Sequence, residues 1–496
     1  MSQLRKKLKE KRGWWLWGLW LVSFFLLRLP SLFEPYWYGD EGIYLTLGAG
    51  IRKGVALYQE IHDNKPPLLY ILAAMGKTVF GFRLLLSVWM LTSYAIAYKL
   101  FLKVFDKRAV AVVLTWLFLA VSSVPFLEGN IANSEIFMLG PSLAAVWLLW
   151  PIEKLKEKQS FWAGIFLGIA LILKMPALFS LAALAFWVAS EENLSLKKRI
   201  SLLFWLGMGV FIPLFLTIIW FLLSGGLGAY LAAAWGQNIG YLSSWSTGSH
   251  GGGMGNGVKF RAIALVLFWV GAWIFKKRWG KGLWAGMVWL SAEMFGAALS
   301  GRPYPHYLIG SLLPSFWILG WLWVGKDSGK EKLAILALSL GLWIGVIKAF
   351  DFYFYPVESY YQNFYGWVGG KKSREEYRKY FGGQILENDR IVEIIKEETE
   401  EEERIFVWAD RPYLYAESGR LPASRFTVAY HVVDFGGEEE LLRALREEWP
   451  KLVVWEEKEN RKFEELKKLI DNYYSPIYGA GKITIYKLNE GEVGII

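Results

Sequence analysis

Residues 14–41 read WWLWGLWLVSFFLLRLPSLFEPYWYGDE, an apolar run, then an aromatic cluster, then two adjacent acids. An α-helix needs about 20 such apolar residues to cross roughly 30 Å of hydrocarbon with every backbone group bonded inside the segment. Aromatic rings collect where the hydrocarbon meets water. The stretch therefore reads as a membrane span over 14–33 whose end surfaces at Tyr36, Trp37 and Tyr38, with Asp40 and Glu41 just beyond it. The basic head MSQLRKKLKEKRG suits either the start of a signal peptide or an uncleaved first helix; no small-residue cleavage site follows and many more spans do, which favours the helix.

Outward from this stretch the pattern repeats. Apolar runs recur at 14–33, 83–102, 109–127, 136–151, 161–173, 176–190, 200–223, 261–275, 283–299, 307–324 and 333–350, about eleven in all, and none follows Phe350. The short fifth and sixth suggest a tight hairpin around Lys174 and Pro176. Hydrophobic residues make up 54% of the chain and Trp alone numbers 28, in keeping with a lipid solvent. With no Cys and 4 His, disulfides and Cys-ligated zinc or iron–sulfur sites are excluded. The net charge of +10 lies in short clusters between apolar runs rather than over a soluble face, so nucleic acid is not the expected partner.

Those clusters set the expected sidedness. With a cytoplasmic N-terminus, the loops on that side hold Lys103, Lys107 and Arg108; Lys154, Lys156 and Lys158; Lys197, Lys198 and Arg199; Lys276, Lys277, Arg278 and Lys281; and Lys326, Lys330 and Lys332. The opposite loops hold far fewer, as the positive-inside rule requires. The long loops 34–82 and 224–260 and everything from 351 onward then lie outside, where chemistry is expected. Within the first loop, Lys65-Pro66-Pro67 opens LLYILAAMGKTVFGF (68–82), which suits a helix lying in the interface. The Gly-rich GSHGGGMGNG (248–257) follows no strand and reads as a mobile linker or a loop that orders over substrate.

From 351 the chain changes character. RIFVWA (404–409), KLVVWE (451–456) and KITIYKL (482–488) have strand length, and NDRIVEIIKEET, EEELLRALREEW and RKFEELKKLID space apolar residues three and four apart. Strands alternating with helices predict a small α/β domain of about 130 residues. No Gly-rich phosphate fingerprint follows any strand. The expected architecture is a polytopic α-helical membrane domain over 1–350 and an extracytoplasmic α/β domain over 351–496.

Asp40 and Glu41 are the first candidates for chemistry, since a paired acid at a membrane surface can serve as a general base or metal ligand. Y-G-D-E-G-I-Y (38–44) followed by Y-Q-E-I-H-D-N-K-P-P-L-L-Y (58–70) resembles the first external loop of the dolichyl-phosphate-mannose protein mannosyltransferase superfamily, in the bacterial and archaeal branch that includes the aminoarabinose transferases. The resemblance continues through NSEIFMLGP (133–141), GIALILKMP (168–176), GRPYPHYLIGSLLP (301–314) and ADRPYLYAESGRLPASR (409–425). It implies the C-type glycosyltransferase fold and transfer of a sugar, with inversion, from a polyprenyl-phosphate donor to an acceptor hydroxyl of a lipid, protein or polysaccharide, with Asp40 as base and Glu41 beside it.

One acid and a cationic clamp for the departing phosphate suffice for that reaction. Lys65, Lys174, Arg302 and His306 with Tyr307, all at expected outer ends of spans, are the clamp candidates, although cations there also snorkel to headgroups. Asp63 and His62 stand beside Lys65 and are candidates to orient it, or are ordinary loop residues. Glu135, in the loop EGNIANSE, resembles a second acidic position of the family, where it would bind a metal, position the acceptor, or be simply a solvated acid. A divalent metal ion is the one cofactor the sequence leaves open, and with acids but no His/Cys cluster it would be a hard ion on oxygen ligands such as Asp40 and Glu135. Glu293, inside an apolar run, must face protein or a polar cavity. Arg411, Arg420 and Arg425 of the tail are candidates for an anionic acceptor or are surface charges. A flippase or transporter of a polyprenyl-linked glycolipid is the competing reading, but it predicts an internal repeat and mid-membrane charges rather than ionisable groups gathered at one face.

Overall fold

The structure, a computed structural model, describes residues 18–238, 254–325, 329–457, 459 and 461–489. The basic head, Lys326 and most of the Gly-rich 248–257 stretch lie outside the described residues. In chain order the principal helices are α1 (Gly18–Phe33), α2 (Gly39–Arg52), α3 (Leu68–Gly76), α4 (Val79–Phe105), α5 (Arg108–Val121), α6 (Ser134–Leu149), α7 (Glu157–Leu171), α8 (Ala177–Ala189), α9 (Leu196–Leu223), α10 (Met254–Ile274), α11 (Lys276–Ala298), α12 (Leu312–Val324, entered through a 3-10 turn Pro305–Ser311) and α13 (Gly329–Ala349), with a short helical turn, Leu227–Leu231, between α9 and α10. Each of the eleven apolar runs falls on one of them. Among the described residues five segments are long and apolar enough to cross a membrane: Val79–Phe105, Leu196–Leu223, Gly257–Ile274, Pro305–Val324 and Gly329–Ala349. The chain is a multi-pass membrane protein. The figure of eleven spans is not fixed by length, because α1, α5, α6 and α8 are apolar but shorter.

The tail continues with α14 (Val357–Val368), α15 (Arg374–Lys379), α16 (Ile385–Glu398), β1 (Ile405–Trp408), α17 (Tyr413–Ser418), α18 (Ala429–Asp434), α19 (Glu438–Glu447), β2 (Leu452–Glu456), α20 (Glu464–Tyr473), β3 (Tyr474–Ala480) and β4 (Ile483–Leu488). Contacts divide the chain into two compact units, one of Met1–Ser31, Leu86–Thr217 and Asn238–Tyr360, the other of Leu32–Leu85, Ile218–Gln237 and Tyr361–Ile496. The expected boundary at 350 falls inside the first unit.

In the first unit the helices close on small residues and on tryptophans whose N–H groups find carbonyls. A side chain added at Gly164 or Gly209 would strike the backbone of the facing helix, so α7 and α9 touch backbone to backbone, and Ser160 donates across the same seam to the Leu202 carbonyl at 2.6 Å. Close approach through glycine is how helices associate in lipid, which offers no hydrophobic drive between them. Trp187 donates to Ala285 O at 3.1 Å and Trp317 to Gly282 O at 2.7 Å, leaving neither indole unsatisfied in the core. The hairpin expected around Lys174 and Pro176 is present, α7 ending at Leu171 and α8 starting at Ala177.

In the second unit the sheet runs β1-β2-β4-β3, with β1 and β2 parallel and the other pairs antiparallel. Its strands alternate between two cores. Phe406, Trp408, Val453 and Trp455 pack under α19 and α20, whereas Ile405, Val407, Leu452 and Val454 pack under α16 and α17. β1 and β2 are thus covered on both faces, which is why they read as continuous apolar runs. β3 was not expected. It pairs only with β4, carries Pro476 and breaks register between Pro476 and Tyr478, so the sequence of this edge strand lacks the alternation that marks the others. The interfacial helix expected over 68–82 is shorter, stopping at Gly76, with Lys77 at φ 64 before α4 begins.

α2 lies between two backbones. A Cβ on Gly42 would stand 2.6 Å from Tyr413 N, and one on Gly48 2.6 Å from Ala74 N, so α17 and α3 press against opposite ends of the same helix. Thr46 locks the first contact by donating to Gly42 O at 2.7 Å and lying 3.2 Å from Pro412 O. Because the obstacle is backbone, Gly42→Ala should lower stability by about 1–3 kcal/mol, the usual effect of overpacking. Thermal unfolding in detergent checks this, with Gly39→Ala as the control, since nothing lies within 4 Å of a Cβ there.

Candidate active site

Asp40 and Glu41 occupy the first turn of α2 and part company there. Glu41 turns inward: Arg83 Nε donates to Glu41 Oε1 at 2.8 Å, and Arg83 Nη1 lies 2.7 Å from Glu34 Oε2, with all three side chains buried. Trp37 Nε1 donates to the same Glu34 oxygen at 2.7 Å. Glu41, expected beside Asp40 as a second catalytic acid, is thus one arm of an ion triad that fastens α2 to the start of α4.

Asp40 faces the other way. Its Oδ2 accepts from the Tyr44 hydroxyl at 2.9 Å and lies 3.9 Å from Lys65 Nζ. The same ammonium is 3.4 Å from Asp63 Oδ2 and rests over the Tyr44 ring, 5.0 Å from its centroid. Tyr70 OH donates to Asp63 Oδ2 at 2.8 Å and Asn64 N to Oδ1 at 2.7 Å. The Lys65 backbone is held too, Tyr58 OH donating to its carbonyl at 2.6 Å. Exposure separates the acids: the Asp40 side chain keeps 32% of its surface, against 1% for Asp63 and 2% for Glu41. Burial works to raise the Asp63 carboxyl, and the Lys65 ammonium with the Asn64 and Tyr70 donors outweighs it, holding the group at about 2.

Two histidines back this cluster. His431, from α18, places Nε2 3.7 Å from Asp63 Oδ1, and His62 packs edge-on against His431 and Phe435. His62 N donates to Arg425 O at 2.8 Å, stitching the first loop to the tail. Burial keeps both rings neutral, lowering His62 to about 4 with help from Arg425, and His431 to about 3 against the pull of Asp63.

The remaining candidates gather in the first unit. Glu135, in the first turn of α6, pairs with Lys174, accepts from Ser134 Oγ at 3.0 Å and lies 3.5 Å from His306 Nε2. His306 Nδ1 bonds to Glu128, and Lys174 Nζ stands over the Tyr307 ring at 4.6 Å. Arg302 is half-buried in the loop that leads into Pro305–Ser311. Glu293 is buried on α11, accepting from Trp289 Nε1 at 3.0 Å and from Ser180. The structure therefore brings together Asp40, Asp63 and Lys65 in one cluster, and Glu135, Lys174, His306 and Tyr307 in another.

Several members were not singled out from sequence. Glu128 opens the same EGNIANSE loop that Glu135 closes, and Tyr44 and Tyr70 lie inside the two quoted motifs, so local signals existed. Arg83 and His431 had none, since each meets its partner only through the fold. Among the described residues no group of three or more His, Asp or Glu is placed to hold a metal ion. Asp40 faces an ammonium and Glu135 another, so neither donor set fits a divalent cation. Of the tail arginines, Arg411 and Arg420 are buried in internal bonds and Arg425 pairs with Glu440.

Two outcomes test this geometry. Arg83→Met should cost about 3–5 kcal/mol by stranding two buried carboxylates, and adding Glu34→Gln with Glu41→Gln should recover most of it, as read by thermal unfolding. The neutral histidines fix the acid response. Unfolded chains bind these protons near pH 6.5 and the folded protein only near 4 and 3, so stability is full above about 6.5 and falls below it, by roughly 1.4 kcal/mol per pH unit for each ring. The unfolding midpoint followed from pH 7 to 5 should drop less steeply in His62→Leu than in the wild type.

Comparison with known proteins finds two family models and several solved structures similar to this chain. Residues 64–221 match the family model of dolichyl-phosphate-mannose-protein mannosyltransferase, and residues 385–489 match that of the competence-induced protein Ccs4 C-terminal domain. No curated protein sequence matches the chain. Among solved structures, ArnT from Cupriavidus metallidurans superposes in its apo state with TM-score 0.58 at 14% identity, over 96% of this chain and 98% of that one. The same protein bound to undecaprenyl phosphate gives TM-score 0.56 at 12% identity with the same coverage. At these identities the likeness establishes the fold. Residues 64–221 thus match the mannosyltransferase family model, and the chain as a whole has the fold of ArnT.

Proposed function

We propose that this protein is a membrane glycosyltransferase that moves a sugar from a polyprenyl-phosphate donor to an acceptor hydroxyl at the extracytoplasmic face. The observation that carries the reading is the Asp40–Lys65 pair, an accessible carboxylate 3.9 Å from an ammonium that a second, buried acid holds in place. Solved ArnT in complex with undecaprenyl phosphate supports a lipid-phosphate donor.

In this reading the acceptor hydroxyl hydrogen-bonds to Asp40, which takes its proton as the oxygen attacks the anomeric carbon. The new bond to the acceptor forms on one face as the bond to the phosphate oxygen breaks on the other, so the configuration inverts. The phosphate leaves with the bonding electrons and needs no proton, because Lys65 neutralises the charge it gains. Asp63 positions that lysine. Glu41 acts indirectly, through the triad that holds the first turn of α2. Glu135, Lys174, Arg302, His306 and Tyr307 are proposed as contacts to the donor phosphate or the acceptor, the paired cations suiting an anion.

Transfer of labelled sugar from a panel of polyprenyl-phosphate sugars tests the proposal. Asp40→Asn should lower kcat by about 10²–10⁴, the usual contribution of a general base, with unfolding unchanged. Lys65→Ala should abolish transfer and weaken capture of polyprenyl phosphate. Wild-type protein that moves the lipid across a vesicle membrane but transfers no sugar would instead support the flippase reading.

A further inference from the structure

The tail carries a cavity that the reaction above does not use. Its volume is about 460 Å³, within the ~300–1,000 Å³ of small-molecule sites. It opens at the carboxyl ends of the parallel pair β1 and β2, the edge at which α/β sheets present their loops to ligands. Asp410 and Arg411 stand two and three residues past the end of β1, and Glu456 ends β2. Glu387 comes from the first turn of α16, and Lys482 from the β3–β4 hairpin, whose Gly481 stands at φ 58 and leaves the wall bare.

Some of the lining is already committed. Arg411 Nη1 donates to Asn388 Oδ1 at 2.8 Å and Nη2 to Glu456 Oε1 at 3.1 Å, and Asp410 accepts from Arg461 at 3.0 Å and Tyr430 N at 3.2 Å. Glu387 retains capacity: its side chain keeps 23% of its surface, and its Oε1 comes no nearer to Arg411 than 3.9 Å. Lys482 and Gln384 are exposed at the rim.

The charges select by exclusion. Three carboxylates oppose an anion, and Arg411 with Lys482 opposes a cation. Among the described residues no acid group is arranged for a metal ion. What the lining offers on every side is donors and acceptors together, which suits a ligand whose groups do both, and hydroxyls donate and accept at once. We infer that this cavity is a saccharide-binding site for neutral sugar residues of a glycan, with Glu387 as its principal acceptor. The site is built wholly from tail residues and does not depend on the transfer reaction.

Saturation-transfer NMR on the full chain in detergent, with a panel of neutral methyl hexosides and disaccharides, tests it. At least one sugar should give a saturable signal. Gln384→Trp, which fills the cavity from its exposed rim, should remove that signal. Glu387→Ala should weaken it by about tenfold, the loss of one hydrogen bond to a charged group, with the unfolding midpoint unchanged. The inference is overturned if no sugar gives a saturable signal, if both variants bind sugar as the wild type does, or if inorganic phosphate or trilysine saturates the cavity instead. Sugar transfer is scored separately, so either proposal can fail while the other stands.

Discussion

Arg83 lies between Glu34 and Glu41 where no water reaches, and one cation shared by two carboxylates holds only while all three stay in register. The pairing ties the start of α4 to the residues that lead into α2 and to α2 itself. Everything at the first cluster inherits that constraint, because Asp40 is one residue from Glu41 and points where the backbone of that turn directs it. Replacing such a triad by apolar side chains is often neutral for stability, so its value here lies in fixing direction.

Much of this was legible in advance. Spans announce themselves because lipid demands long apolar helices, β1 and β2 because strands covered on both faces must be apolar throughout, and β4 because KITIYKL has strand length and apolar residues at strand spacing. The quoted loop motifs pointed to Asp40, Lys65 and Asp63, and the fold brings those three together. What sequence could not separate was Asp40 from Glu41. Adjacent residues on a helix point about 100° apart, and which of them is buried against Arg83, 42 positions away from Glu41, is set only by the fold. His431 is hidden for the same reason: nothing in AYHVVD says that it will stand against Asp63. β3 escaped because an edge strand tolerates a proline that a central strand would not.

The first cluster is also economical in charge. Of the ionisable groups around Lys65, Asp40 and Asp63 are carboxylates, while His62 and His431 are held uncharged by burial. Lysine is therefore the local cation, and the histidines pack against Asp63 without competing with Lys65 for it. Tyr44 and Tyr70 each bind one carboxylate by a neutral hydroxyl, so each acid is oriented without a second positive charge.

The glycine seam between α2 and α17 has a consequence for how such chains diversify. A helix whose backbone touches Tyr413 cannot be inherited apart from the segment that carries Tyr413. Tails exchanged between relatives would have to travel with residues 39–52, or recombine only where both partners keep glycine at the crossing. The tail is in that sense no independent appendage, since its evolutionary freedom ends at α17 and begins on the sheet beyond it.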